Sequence, residues 1–178
     1  MAPLAPRCGV KIAGVQLADA DGEMLDAIRN AVWEHGVALF RDQDFGPDEH
    51  IAFAKRWGGI DLNNYFPLTE DYPEIAVVRK RADQTTNIGG GWHTDHSYDA
   101  VPAMGSILVA RELPPSGGDT LFAHMGAAYD ALSDELKGEI EGLEAFHTAD
   151  HVYSPDGFYA QTDMGGDLRG QEMRTGAT

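Results

Sequence analysis

Between Gly91 and Tyr98 the chain reads Gly-Trp-His-Thr-Asp-His-Ser-Tyr, its densest run of side chains able to do chemistry. His93 and Asp95 stand two apart. In an extended chain successive side chains alternate in direction, so an imidazole and a carboxylate at this spacing share a face. Together they are two-thirds of the 2-His-1-carboxylate set that holds divalent iron and leaves positions open for a cosubstrate and oxygen. A bare His-x-Asp also arises by chance among solvated side chains, so the pair needs context. His96 comes next and is expected on the opposite face. His147 and His151 stand four apart like two zinc-binding histidines on a helix, but Thr148 fills the place of the general base in His-Glu-x-x-His. A second reading therefore stays open: a metal-dependent hydrolase in which His96, His124, His147 or His151 joins His93 and Asp95 around zinc. A third is a non-catalytic binding or remnant domain.

The elements that must carry these groups follow from periodicity and caps. Gly9–Leu17 alternates loosely and predicts a strand. Leu25, Ile28, Ala31 and Val32 recur at helical spacing after Asp21, and Gly36 is placed to stop that helix. Val37–Phe40 reads as a short strand. Pro47 opens a second helix through Trp57, with Ile51, Ala54 and Trp57 expected on its inner face. Glu74–Arg79 predicts a strand, and Lys80–Gly91 a polar, mobile loop ending in three glycines. Trp92–Tyr98 should be extended, with Trp92 as a packing residue. Met104–Leu113 and Asp119–Ala123 predict strands flanking a Pro-Pro-Ser-Gly-Gly turn. Helices should follow from Gly126 and, capped by Ser133, through Leu136 and Ile140, both facing inward. Helices early and strands later make an α+β pattern.

Composition bounds the class of function. In 178 residues, 13 Lys and Arg stand against 29 Asp and Glu, a formal net charge of −16. So acidic a surface repels phosphates, and the basic residues form no patch, which argues against nucleic acid and anionic membranes as partners. Apolar runs fall far short of the ~20 residues of a membrane-spanning helix. The single Cys8 cannot form an internal disulfide, which fits a reducing cytoplasm. A homo-oligomer stays open.

Five segments, in order, resemble the taurine dioxygenase (TauD/TfdA) family of Fe(II)- and 2-oxoglutarate-dependent oxygenases. They are HGVALFRDQ (His35 to Gln43), AFAKRWG (Ala52 to Gly58), WHTD (Trp92 to Asp95), ILVARELPPSGGDTLF (Ile107 to Phe122) and AAYDALS (Ala127 to Ser133). The resemblance implies a double-stranded β-helix (jelly-roll) core with flanking helices. It implies Fe(II) as cofactor, with His93 and Asp95 as the first two ligands, and 2-oxoglutarate as cosubstrate, its distal carboxylate bonded by the Thr120 hydroxyl. The implied reaction hydroxylates a small organic substrate with O2 and releases succinate and CO2. Asn63, Phe66 and Gly89 stand where the name-giving member has polar side chains that contact taurine, so the substrate is expected to be something else. Asn63, Phe66, His96 and Tyr98 are expected to line its pocket. The family's second histidine ligand, and an arginine that pairs with 2-oxoglutarate, have no counterpart by Thr178. The expectation is one N-terminal, C-terminally incomplete domain over residues 1–178, with 151–178 as a loop or lid, and no turnover by these residues alone.

Overall fold

The structure is a computed structural model and describes residues 1–63 and 65–163. The chain divides into two units, Met1–Phe53 with Val109–Glu144, and Ala54–Leu108 with Ala145–Thr178.

In the first unit a three-stranded sheet is built from β1 (Ala2–Pro3), β2 (Val10–Ile12) and β3 (Ala38–Phe40). β2 is central, antiparallel to β1 and parallel to β3, with Val10 opposite Ala38 and Ile12 opposite Phe40. The parallel pairing demands a crossover, which α1 (Gly22–His35) supplies. Asp21 caps α1, its carboxylate accepting the Met24 amide at 2.8 Å. Gly36 ends it in the left-handed conformation at φ 75°, and its amide returns to the Val32 carbonyl. Leu25, Ile28 and Ala31 are buried on the inner face, with Val10, Ile12, Leu17 and Phe45 in the same core. Burying a leucine or isoleucine contributes about 1.5–3 kcal/mol, so this stripe carries much of the unit's stability. Gln43 pins the chain beyond β3 to the segment after β2, accepting from the Leu17 amide (2.9 Å) and donating to the Val15 carbonyl (2.8 Å).

α2 (Pro47–Lys55) buries Phe53, edge-on to Phe45, whereas the expected Ile51, Ala54 and Trp57 are half-buried. Phe53 thus joins the expected residues on the inner face as its most buried member. α3 (Met125–Asp130) is capped by His124, whose Nδ1 accepts the Ala127 amide at 3.1 Å. α4 (Asp134–Ile140) is capped by Ser133 as expected. Its Leu136 and Ile140 are exposed, contrary to the inward facing read from their spacing.

The strands expected at Met104–Leu113 and Asp119–Ala123 are absent among the described residues. Ile107 and Val109 are half-buried between exposed neighbours, so the period of two persists. A strand, however, is defined by its hydrogen-bonded neighbour, and no described segment forms a ladder with either stretch. Glu74–Arg79 is likewise reduced to one bridge, Ala76 to Leu68. In the second unit, α5 (Asp150–Tyr153) and a 3-10 turn at Tyr159–Gln161 occupy the described part of the expected lid, whose residues 164–178 lie outside the described residues. Among the described residues no helix is long and apolar enough to cross a membrane.

Candidate metal centre

Past Gly91 the backbone runs without a ladder through Trp92–Thr94 and turns at Asp95–Tyr98. His93 Nδ1 lies 2.8 Å from the Gly91 carbonyl. A carbonyl only accepts, so Nδ1 carries a proton, and in the neutral imidazole Nε2 then keeps its lone pair. That Nε2 stands 3.2 Å from Asp95 Oδ1, with both side chains more than half exposed. The pair is therefore brought together as the spacing predicts. Two electron-rich atoms facing each other at this distance are stabilised by a cation between them. Donors at right angles on a metal with bonds of ~2.1 Å lie ~3 Å apart, so this pair fits one edge of a coordination sphere. Trp92 is 72% exposed and packs little, contrary to expectation.

His96 stands in a left-handed backbone (φ 56°) within the turn rather than in a pleated strand. Its Nδ1 lies 2.8 Å from Asp99 Oδ2 and 3.6 Å from Asp61 Oδ2. Among the described residues, Asp61, His96 and Asp99 bring their ligand atoms within 4.8 Å of one another, a group that includes neither His93 nor Asp95. Two of the other candidate histidines have partners of their own: His124 caps α3, and His147 Nδ1 lies 2.9 Å from the Ser97 hydroxyl.

Around the turn lies an aromatic cluster that no sequence motif marks. Tyr65 stacks on Tyr153 with ring centres 3.9 Å apart, Tyr98 meets Tyr65 edge-on at 6.1 Å, and Tyr159 packs on Tyr153 at 5.7 Å. Burial pushes the Tyr153 hydroxyl up to about 12, with Tyr159, Tyr65 and the Asp95 carboxylate adding to the effect. Burial chiefly, then Tyr65 and Tyr153, raises Tyr98 well above the ordinary phenol range. These hydroxyls stay protonated at neutral pH and serve as donors. Asn63 Oδ1 accepts the amides of Tyr65 (2.9 Å) and Phe66 (2.7 Å), which engages that oxygen in a turn, and Phe66 is half-buried.

Thr120 belongs to the first unit and is exposed, following Gly117 and Gly118, both left-handed at φ 75° and 74°. Tyr65, Tyr153, Tyr159 and Asp163 are the residues near the metal motif that sequence reasoning missed. For Tyr153 and Tyr159 the signal is the aromatic content of Tyr153–Tyr159 after the apolar periodicity fades; Tyr65 and Asp163 carry none.

Comparison with known proteins agrees with the motif. The family described as "Taurine catabolism dioxygenase TauD, TfdA family" matches residues 1–175. The chain is 34% identical to an (S)-phenoxypropionate/alpha-ketoglutarate-dioxygenase of Sphingobium herbicidovorans, the match covering 86% of this chain and 55% of that protein. It is also 34% identical to an alpha-ketoglutarate-dependent 2,4-dichlorophenoxyacetate dioxygenase of Cupriavidus pinatubonensis, over 83% of this chain and 57% of that protein. Among solved structures, a taurine dioxygenase from Burkholderia xenovorans superposes with a TM-score of 0.68 at 29% identity, covering 79% of this chain and 50% of that one. AAD-2 in complex with Mn(II) and N-oxalylglycine superposes with a TM-score of 0.67 at 29% identity, covering 92% and 57%. The chain thus spans about half the length of the relatives it matches. With its motif and its fold both similar to theirs, the chain belongs to the taurine catabolism dioxygenase TauD, TfdA family.

Proposed function

We propose that the whole protein is an Fe(II)- and 2-oxoglutarate-dependent dioxygenase that hydroxylates a small organic acid other than taurine. The observation that carries this reading is the 3.2 Å approach of His93 Nε2 to Asp95 Oδ1, with His93 Nδ1 occupied by a carbonyl. His93 and Asp95 would hold the iron, which when bound supplies the activation of O2 needed for C–H hydroxylation. In the balanced reaction one oxygen atom enters the substrate as a hydroxyl, and the other enters succinate as 2-oxoglutarate loses CO2. Thr120 donates its hydroxyl to the cosubstrate's distal carboxylate. Asn63, Phe66, His96 and Tyr98 line the substrate pocket, where the neutral Tyr98 hydroxyl is suited to donate to an anionic group. A jelly-roll core completes the fold in the whole protein.

The named relatives act on phenoxypropionate and dichlorophenoxyacetate, and others on a sulfonate or a sulfate ester, which supports an organic anion as the substrate class. The test is succinate release and O2 uptake by the full-length protein with Fe(II), 2-oxoglutarate and a panel of phenoxyalkanoates, sulfonates, alkyl sulfates and taurine. Succinate release stimulated by at least one of the first three, and little by taurine, is the expected result. Substrate turnover that persists without 2-oxoglutarate or oxygen would overturn the reading in favour of a hydrolase.

A further inference from the structure

The loop before the metal motif, which the sequence reads as mobile, is tied down by a segment far away in the chain. Asp163 accepts the Thr85 amide (2.6 Å), the Thr85 hydroxyl (3.0 Å) and the Thr86 amide (3.2 Å), and its own carbonyl accepts from Arg81 at 3.1 Å. Within the loop, buried Gln84 accepts the Arg81 amide and donates to the Thr86 carbonyl. Three residues further on, the Gly89 amide donates to the Tyr159 hydroxyl at 3.0 Å, and Tyr159 is 94% buried, its residual exposure being 6%.

Gly89 is in turn the residue against which the His93 ring lies. A Cβ placed there would come within 3.2 Å of His93 Cε1, and the backbone is left-handed at φ 65°. Only glycine meets both demands without strain. Gly89 therefore backs one side of the imidazole, while the Gly91 carbonyl fixes its Nδ1.

From this chain of contacts we infer that Tyr159, acting through Gly89, is a positioning residue for His93, with Asp163 clamping the same loop. The inference rests on the reading of His93 as a metal ligand only in its consequence for metal affinity; the orientation of the ring can be measured without metal. Groups that orient a ligating histidine typically change metal affinity 10- to 100-fold when removed. Tyr159→Phe keeps the packed ring and deletes the acceptor of the Gly89 amide. Gly89→Ala pushes directly on His93.

The experiment uses the full-length protein, metal-free for long-range 1H–15N correlation of histidine rings, and with Mn(II) alone for affinity by electron paramagnetic resonance. The wild type should show His93 as the Nδ1–H tautomer. Tyr159→Phe should shift the His93 ring signals toward a tautomer mixture, leave those of His124 in place, and weaken Mn(II) binding about tenfold. Gly89→Ala should do the same or more, and it carries the test if Tyr159→Phe fails to fold. Wild-type His93 signals in a folded Tyr159→Phe would overturn the inference, even where Gly89→Ala shifts them by direct contact. His93→Ala binding Mn(II) as tightly as the wild type would instead remove the metal-ligand reading, while the ring signals still decide the positioning role.

Discussion

The Asp163 carboxylate accepts both the amide and the hydroxyl of Thr85, across 78 residues of sequence. Hydrogen bonds from Thr86 and Thr85 hold this exposed carboxyl well below the usual carboxylate range. A carboxyl lowered in the folded state adds stability above its unfolded value of about 3.9. That contribution fades as pH falls from there through the folded value. Hydrogen exchange at the Thr85 and Thr86 amides, corrected for intrinsic rates, should therefore show protection at about pH 5 that declines by about pH 3. In Asp163→Ala the protection should already be missing at the higher pH. Equal protection in the variant at about pH 5 would show that the clamp does not hold the loop.

Replacing His93 or Asp95 by alanine removes one of two donors set on a common edge. In the full-length protein either change should abolish Fe(II)-dependent succinate formation. Iron content measured after anaerobic loading should fall with it. Unchanged iron content and turnover in both variants would discard the assignment.

Thr120→Val keeps the shape of the side chain and deletes its hydroxyl. A lost hydrogen bond to a charged group costs about 1.5–3 kcal/mol. The apparent affinity for 2-oxoglutarate should weaken roughly tenfold to a hundredfold, since about 1.4 kcal/mol is one decade. An effect confined to the affinity for the organic substrate would reassign Thr120 to the pocket.

Gly36→Ala tests the end of α1. The position has φ 75°, and an added Cβ would come 3.3 Å from the His124 ring. The left-handed conformation costs a non-glycine residue about 1–2 kcal/mol, and the contact with His124 adds to this. Urea denaturation should show a loss of at least that size with an unchanged slope. Asp21→Ala at the other end should cost about 1 kcal/mol.

How much of this was legible in the sequence depends on how local the determinants are. α1 occupies Gly22–His35 as read, because its apolar stripe, its Asp21 cap and its Gly36 stop all lie within one turn of the elements they define. The Ser133 cap was legible for the same reason. Met104–Leu113 shows the limit: alternation specifies an extended chain but never names the strand it pairs with. On α2 the spacing picked out Ile51 and Ala54, which are half-buried, but passed over Phe53, whose burial comes from an aromatic partner in Phe45, a tertiary choice that spacing does not encode. At the site, two-residue spacing was enough to pair His93 with Asp95. The left-handed His96 and the clamp from Asp163 left no local trace.

The two parts of the molecule also differ in when they can be finished during synthesis. β2, α1 and β3 close their pairings within Val10–Phe40, so a nascent chain can complete them soon after they emerge. The loop at Thr85 cannot be closed until Asp163 has been made, 78 residues later. At about 5–20 residues per second this delay is roughly 4–16 s. For most of it His93 and Asp95 have already been made while the segment that braces their loop has not, so a metal ion arriving early meets the two ligands before their support.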